Sequence, residues 1–276
     1  EKYKMVQDEV QRRGLRSKAD LILGLPFETK ESHFAAIYGL IDSGVQEFSC
    51  YQAMILKDTD LGSKATRVTH GFKTKWRLIP RGLGQYDGAQ DQSIVPECEE
   101  VIITTNTLSF DEYIDANRLH LVDYIYHNSG IFDLIYAYLQ HYNIIPSKFI
   151  EQIYLNSLKS DFPIKGVMDS FIEERKGELF DSEESCVAFY SQPENLEKVK
   201  NGEIGGNLIF NYLAIALFEE WSLTIDSALK ALRSLIPDCG DDLEYLAKIL
   251  NARVVDISQT PLVKDISIEI GSKKII

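Results

Sequence analysis

The stretch Asp20 to Phe34, DLILGLPFETKESHF, constrains the fold of this chain most. Its apolar run, about residues 19–24, predicts a strand buried on both faces, as parallel strands are. Gly-Leu-Pro ends that strand. Thr29 then stands as N-cap of a helix over about 30–43, and Gly44 lies just past its end. A helix over about 2–13, stopped by Gly14, precedes the run, and a second strand, QEFSCY, follows at about 46–51. Helix, strand, helix, strand in this order implies parallel strands with a right-handed crossover. Two parallel strands do not make a stable sheet alone, so further strands are expected upstream of Glu1. The chain opens on Glu1 rather than Met and breaks off soon after DISIEIGSKKII, so it reads as a segment of a longer protein.

From about residue 67 the texture changes. HGFKTKWRLIPRGLGQYDG is basic and Gly-rich and predicts a long structured loop with one short strand. An apolar run at 101–105 is followed by a helix with Ser109 as N-cap and Glu112 at N3, a capping box. Helical patterning then covers 110–127, 130–142, 147–159, 164–176, 182–190, 193–201, 207–221, 223–235 and 241–251, with short strands near 253–257 and 265–270. The fold class is therefore α/β and then mostly α, with an α/β part over 1–66 and a mostly helical part over 67–276.

The formal charge of −13 argues against nucleic acid as a main partner, because a phosphate backbone requires clustered Lys and Arg. Cys50, Cys98, Cys186 and Cys239 are scattered, which excludes a Cys-x-x-Cys metal pair and fits a reducing cytoplasm. No apolar run approaches the length of a membrane span, and no signal peptide is evident. His120 and His127 lie seven apart on one predicted helix, not at ligand-pair spacing, and read as packing or surface residues. Cys50 reads as a small core residue. GEIGGN at 202–207 lacks the ending of a phosphate loop and reads as a helix-to-helix turn with Asn207 as N-cap. No metal ligand set is expected within the chain.

Gly24 to Glu28, GLPFE, admits two readings. A strand's carboxyl end with Gly and Pro suits a ligand loop, since ligands of α/β folds sit at that end. It equally suits a strand-to-helix turn in which Glu28 faces the helix dipole. Arg77 and Arg81 flank Pro80, and a guanidinium fork there would hold a substrate carboxylate or phosphate, or tie the loop to its own acids. Tyr86 would donate a hydrogen bond or pack.

DLILGLPFET followed by EFSCYQAMILKDTDLGS resembles the second half of a radical S-adenosylmethionine enzyme core. In that superfamily the fifth strand commonly ends in DLIxGLPGET and the sixth leads to LPGTxL. Asp20, Ile22, Gly24, Pro26, Glu28 and Thr29 match the first pattern, and Leu56, Thr59, Leu61 and Gly62 the second. Two departures stand out: Phe27 replaces a usual Gly, and Lys57-Asp58 replaces Pro-Gly. KTKWRLIPRGLGQYDG and TNTLSFDEY resemble the downstream part of members with an upstream cobalamin-binding domain, through Lys73, Arg77, Pro80, Arg81, Gly84, Ser109 and Tyr113.

The resemblance implies the last βαβ part of a partial (β/α)6 barrel followed by a helical C-terminal region. It implies S-adenosylmethionine and a 4Fe-4S cluster as cofactors, with cobalamin as a possible third, and an electron donor as partner. The adenine wall would be Ile22, Gly24, Pro26, Glu28, Gln52, Met54 and Leu56. The cluster's Cys-x-x-x-Cys-x-x-Cys does not occur in the chain, so its ligands are expected upstream and the chain alone is expected to be inactive. The reaction would be radical hydrogen abstraction or cobalamin-dependent methyl transfer on an unspecified substrate. The competing reading is a non-catalytic helical interaction module with a small α/β lead-in.

Overall fold

The computed structural model describes residues 2–85 and 94–253. Tyr86 and the two strands expected near 253–257 and 265–270 lie outside them, apart from residue 253 itself, which ends a helix.

The chain opens with α1 (Lys2–Arg12), β1 (Lys18–Leu23), α2 (Lys30–Asp42) and β2 (Glu47–Gln52). β1 and β2 pair in parallel, with Asp20 opposite Ser49 and Leu23 opposite Gln52. Thr29 caps α2 through its hydroxyl, which accepts from the Ser32 N–H, and Gly44 takes φ 76° just beyond the helix. β1 is not buried on both faces as expected: Leu23 is buried, but Ile22 is 44% exposed. The reason is its position, because β2 is its one strand neighbour among the described residues.

Beyond Gln52 the chain passes through Ala53 into a second sheet. The Ala53 N–H donates to Leu23 O, and its carbonyl accepts from the Ile102 N–H, both at 2.8 Å, so one residue joins the two sheets. That sheet is antiparallel, in the order β3 (Met54–Ile55), β5 (Ile94–Thr104), β4 (Lys73–Gln85), and α3 (Lys64–His70) lies between β3 and β4. The stretch from His70, expected as a long loop with one short strand, is as far as residue 85 a helix end and a 13-residue strand. Pro80 and the glycines disguise it. β4 is an edge strand, and Pro80 falls in the register shift between Leu78 and Leu83, where no ladder donor is required.

The rest is helical: α4 (Phe110–Asp123) running into a π turn at Tyr124–Asn128, then α5 (Asp133–His141), α6 (Ser147–Ser157), α7 (Lys165–Gly177), α8 (Glu183–Tyr190) and α9 (Pro193–Lys200). α10 (Leu208–Ala214), with a π turn at Ile215–Glu219, then leads to α11 (Trp221–Leu235) and α12 (Gly240–Arg253). The Ser109–Glu112 capping box forms, and Asn207 caps α10. One apolar core runs from Leu23, Ile37 and Phe48 of the α/β part through Tyr126 and Phe171 to Leu250, across residue 67. Among the described residues, no single helix is long and apolar enough to cross a membrane.

Candidate functional site

The GLPFE turn leaves little freedom at Gly24. Its φ of 94° favours glycine, and a Cβ there would stand 3.3 Å from Ile102 O on β5. Glu28 closes the turn from within. Its Oε2 accepts from the Gly24 N–H at 2.6 Å, and its Oε1 meets His33 Nδ1 at 2.7 Å. The carboxylate therefore organises backbone and a histidine. Phe27 holds φ 66° with its ring exposed, edge-on to His70 at 5.0 Å. Asp58 holds φ 63°. Both sit where the resembled family carries glycine, and both keep a backbone that glycine adopts without strain.

A cleft of about 780 Å³ opens at the carboxyl ends of β1 and β2. Ile22, Leu25, Gln52 and Met54 form one wall; β4 and β5 contribute Arg77, Ile79 and Glu99. The end of α7 supplies Glu174, Arg175 and Glu178, and the far side is made by Phe180, Phe189, Tyr190 and the 204–209 turn. Of the residues expected at a ligand site, Ile22, Gln52, Met54 and Arg77 meet here. Gly24, Pro26 and Glu28 form the turn beside the cleft, and Leu56, 58% exposed, and Arg81 lie outside its lining.

Arg77 is the centre of the polar side. Its Nη1 donates to Gln52 Oε1 at 2.5 Å and Nε to Glu99 Oε1 at 2.7 Å, and Nη1 lies 3.5 Å from a Glu178 oxygen. Burial works against the guanidinium's charge, but Glu178 and then Glu99 outweigh it and hold its pKa above the usual arginine value. The other end of Gln52 donates to Asn117 Oδ1 at 3.0 Å, so the amide is fixed from both sides. Arg175 pairs with Glu178 and lies over Phe171, while its Nε has no partner among the described residues. Arg81 takes another role. At φ 58° its backbone N–H donates to Gly205 O at 2.7 Å, tying β4 to the 204–209 turn.

The lining from Glu178, Phe180, Phe189, Tyr190 and Gly205–Ile209 was not evident from the sequence, because these residues read as ordinary helix ends and a turn. Nor was a second polar group, next to the cleft. His33 Nε2 and His120 Nε2 lie 2.8 Å apart, and with Cys50 they place three ligand-type atoms within 4.8 Å of one another. Cys98 and Cys186, 88 residues apart, bring their Sγ atoms to 2.6 Å as free thiols. A scan against protein-family models and a search of curated proteins find no match for this chain.

Proposed function

We propose that this chain is the C-terminal part of a radical S-adenosylmethionine enzyme and that its cleft receives the nucleoside end of that cofactor. This rests on one observation: Ile22, Gln52 and Met54, singled out for an adenine wall, line a single cleft at the carboxyl ends of two parallel strands. Ligands of open and barrel α/β folds bind at that end. The glycine-like backbone of Phe27 and Asp58 supports the same reading, as does the outer edge of β1, which carries no strand among the described residues.

The lining fits such a group. Ile22, Leu25 and Met54 offer exposed apolar surface to a flat base. Gln52 has both ends of its amide engaged, so it stiffens the wall and leaves recognition to shape and backbone. When bound to a reduced 4Fe-4S cluster, the cofactor supplies the radical chemistry. Within this chain, Glu28 sets the Gly24–Leu25 turn, and Arg77, Glu99 and Glu178 fix the polar wall where substrate would enter. Cobalamin, the electron donor and the substrate remain parts of the proposal carried by resemblance alone.

The test is made on the protein encoded by the whole gene. A Cys-x-x-x-Cys-x-x-Cys upstream of Asp20, and 5′-deoxyadenosine formed from S-adenosylmethionine after cluster reconstitution and reduction, are expected. Absence of both overturns the reading.

A further inference from the structure

Next to the cleft, three elements bring chemistry-bearing side chains to one buried point. His33 comes from α2, Cys50 from β2 and His120 from α4, with exposures of 1%, 7% and 0%. One ring nitrogen from each histidine and the Cys50 sulfur lie within 4.8 Å of one another. Glu28 Oε1 stands 2.7 Å behind His33 Nδ1.

Hydrogen bonding leaves this group incomplete. His33 meets Glu28 Oε1 through Nδ1, and its Nε2 faces His120 Nε2 at 2.8 Å. His120 Nδ1 then has no partner, and neither oxygen of Asp123, three residues further along α4, has one among the described residues. Buried polar groups are nearly always satisfied, and each exception calls for an explanation, a bound ion among them.

We propose that His33, Cys50 and His120 bind a single zinc-class divalent metal ion, with Glu28 orienting His33 from behind. Two imidazoles and a thiolate are a borderline-soft donor set, which selects zinc-class ions over magnesium or calcium. Tetrahedral bonds of about 2.0–2.1 Å place ligand nitrogens about 3.3 Å apart, so the facing Nε2 atoms need part by only about half an ångström. A carboxylate on the far nitrogen of a ligating histidine is the usual second partner of such sites, and the Glu28–His33 contact already has that form. Metal on His120 Nε2 would leave its proton on Nδ1, a buried nitrogen that has no partner among the described residues. Three protein ligands leave one tetrahedral position open. Cys50 also lines the cleft, which gives the ion a route in. The site stands whether or not the cleft holds S-adenosylmethionine.

The test uses the purified chain, stripped with a chelator and titrated with Co2+ as a spectroscopic probe. Expected are saturation at one equivalent, the visible bands of tetrahedral cobalt, a thiolate-to-cobalt charge-transfer band and displacement by Zn2+. Cys50→Ser removes the charge-transfer band. Glu28→Gln keeps the band shape but weakens binding by about 10–100-fold, with circular dichroism confirming the fold. If a variant fails to fold, X-ray absorption at the zinc edge of the wild type decides. Sulfur at about 2.3 Å with nitrogen at about 2.0–2.1 Å supports the site. A folded wild type that gives no cobalt bands, a charge-transfer band that survives Cys50→Ser, or a zinc shell without sulfur overturns it.

Discussion

In the cleft, Arg77 is a buried charge with its partners in place: Glu99, Gln52 and Glu178 surround it. Next to the cleft, Asp123 and His120 are fully buried and have polar atoms with no partner among the described residues. Cys50 belongs to both environments. The difference separates two uses of buried polarity. A fully paired charge fixes the shape of a wall, whereas a buried polar atom without a partner carries the cost of its lost hydration.

The largest expected effect breaks the paired side. Arg77→Ala leaves Glu99, 9% exposed, without its cation and should cost about 3–5 kcal/mol in urea denaturation. Arg77→Met combined with Glu99→Leu should recover much of that, because no charge is left stranded. Asp123→Leu should act in the opposite direction. Measured in chelator by the same denaturation, it removes an unsatisfied buried carboxyl of similar size and should stabilise the chain by about 1–3 kcal/mol. A loss instead would mean that Asp123 has a partner in solution, and the contrast would fail.

The turn between the two environments gives a third comparison. Gly24→Ala meets Ile102 O and a φ of 94° and should destabilise by about 1–3 kcal/mol by thermal melting. A smaller effect comes from Glu100, whose carboxylate accepts from Arg67 Nη1 and Nη2, each at 2.6 Å. Hydrogen bonding to Arg67 holds its pKa below the usual glutamate value, so its contribution is present above about pH 4.5 and is lost as pH falls through the depressed folded-state value. Glu100→Gln should therefore flatten the acid limb of the stability–pH curve, by about 1 kcal/mol after solvent screening. The smallest effect is expected at Phe27. Glycine there relieves about 1 kcal/mol of left-handed strain but adds about 0.5–1 kcal/mol of chain entropy, so Phe27→Gly should leave the melting midpoint almost unmoved.

Local signals in the sequence carried the helices and the parallel pair. Thr29, Ser109 and Asn207 announced caps that form, because a cap depends on residues within one turn. β4 was legible only as a short strand for the same reason: Pro80, Gly82 and Gly84 speak locally for a loop, and only the pairing with β5 extends the strand through them. Part of the cleft was visible in Ile22, Gln52 and Met54, which lie at strand ends, and in Arg77. Glu178 and Tyr190 come from helices more than a hundred residues beyond Gln52, and no local pattern points to them. His33 and His120, 87 residues apart, share no local pattern and meet only through the docking of α2 on α4. Phe27 shows the converse. The sequence flagged it as a bulky residue in a glycine's place, and the backbone keeps the glycine conformation.

The central claim, that the cleft at the ends of β1 and β2 takes the nucleoside of S-adenosylmethionine, is tested most directly by a methyl-resolved NMR titration. S-adenosylmethionine and 5′-deoxyadenosine are each added to the chain while the methyl resonances of Ile22 and Met54 are followed. The account predicts that both shift with either ligand, and that the methyls of Ile37 and Ile153, buried in the core, stay fixed. Unmoved Ile22 and Met54 resonances with ligand in large excess, or shifts confined to another surface, would contradict it.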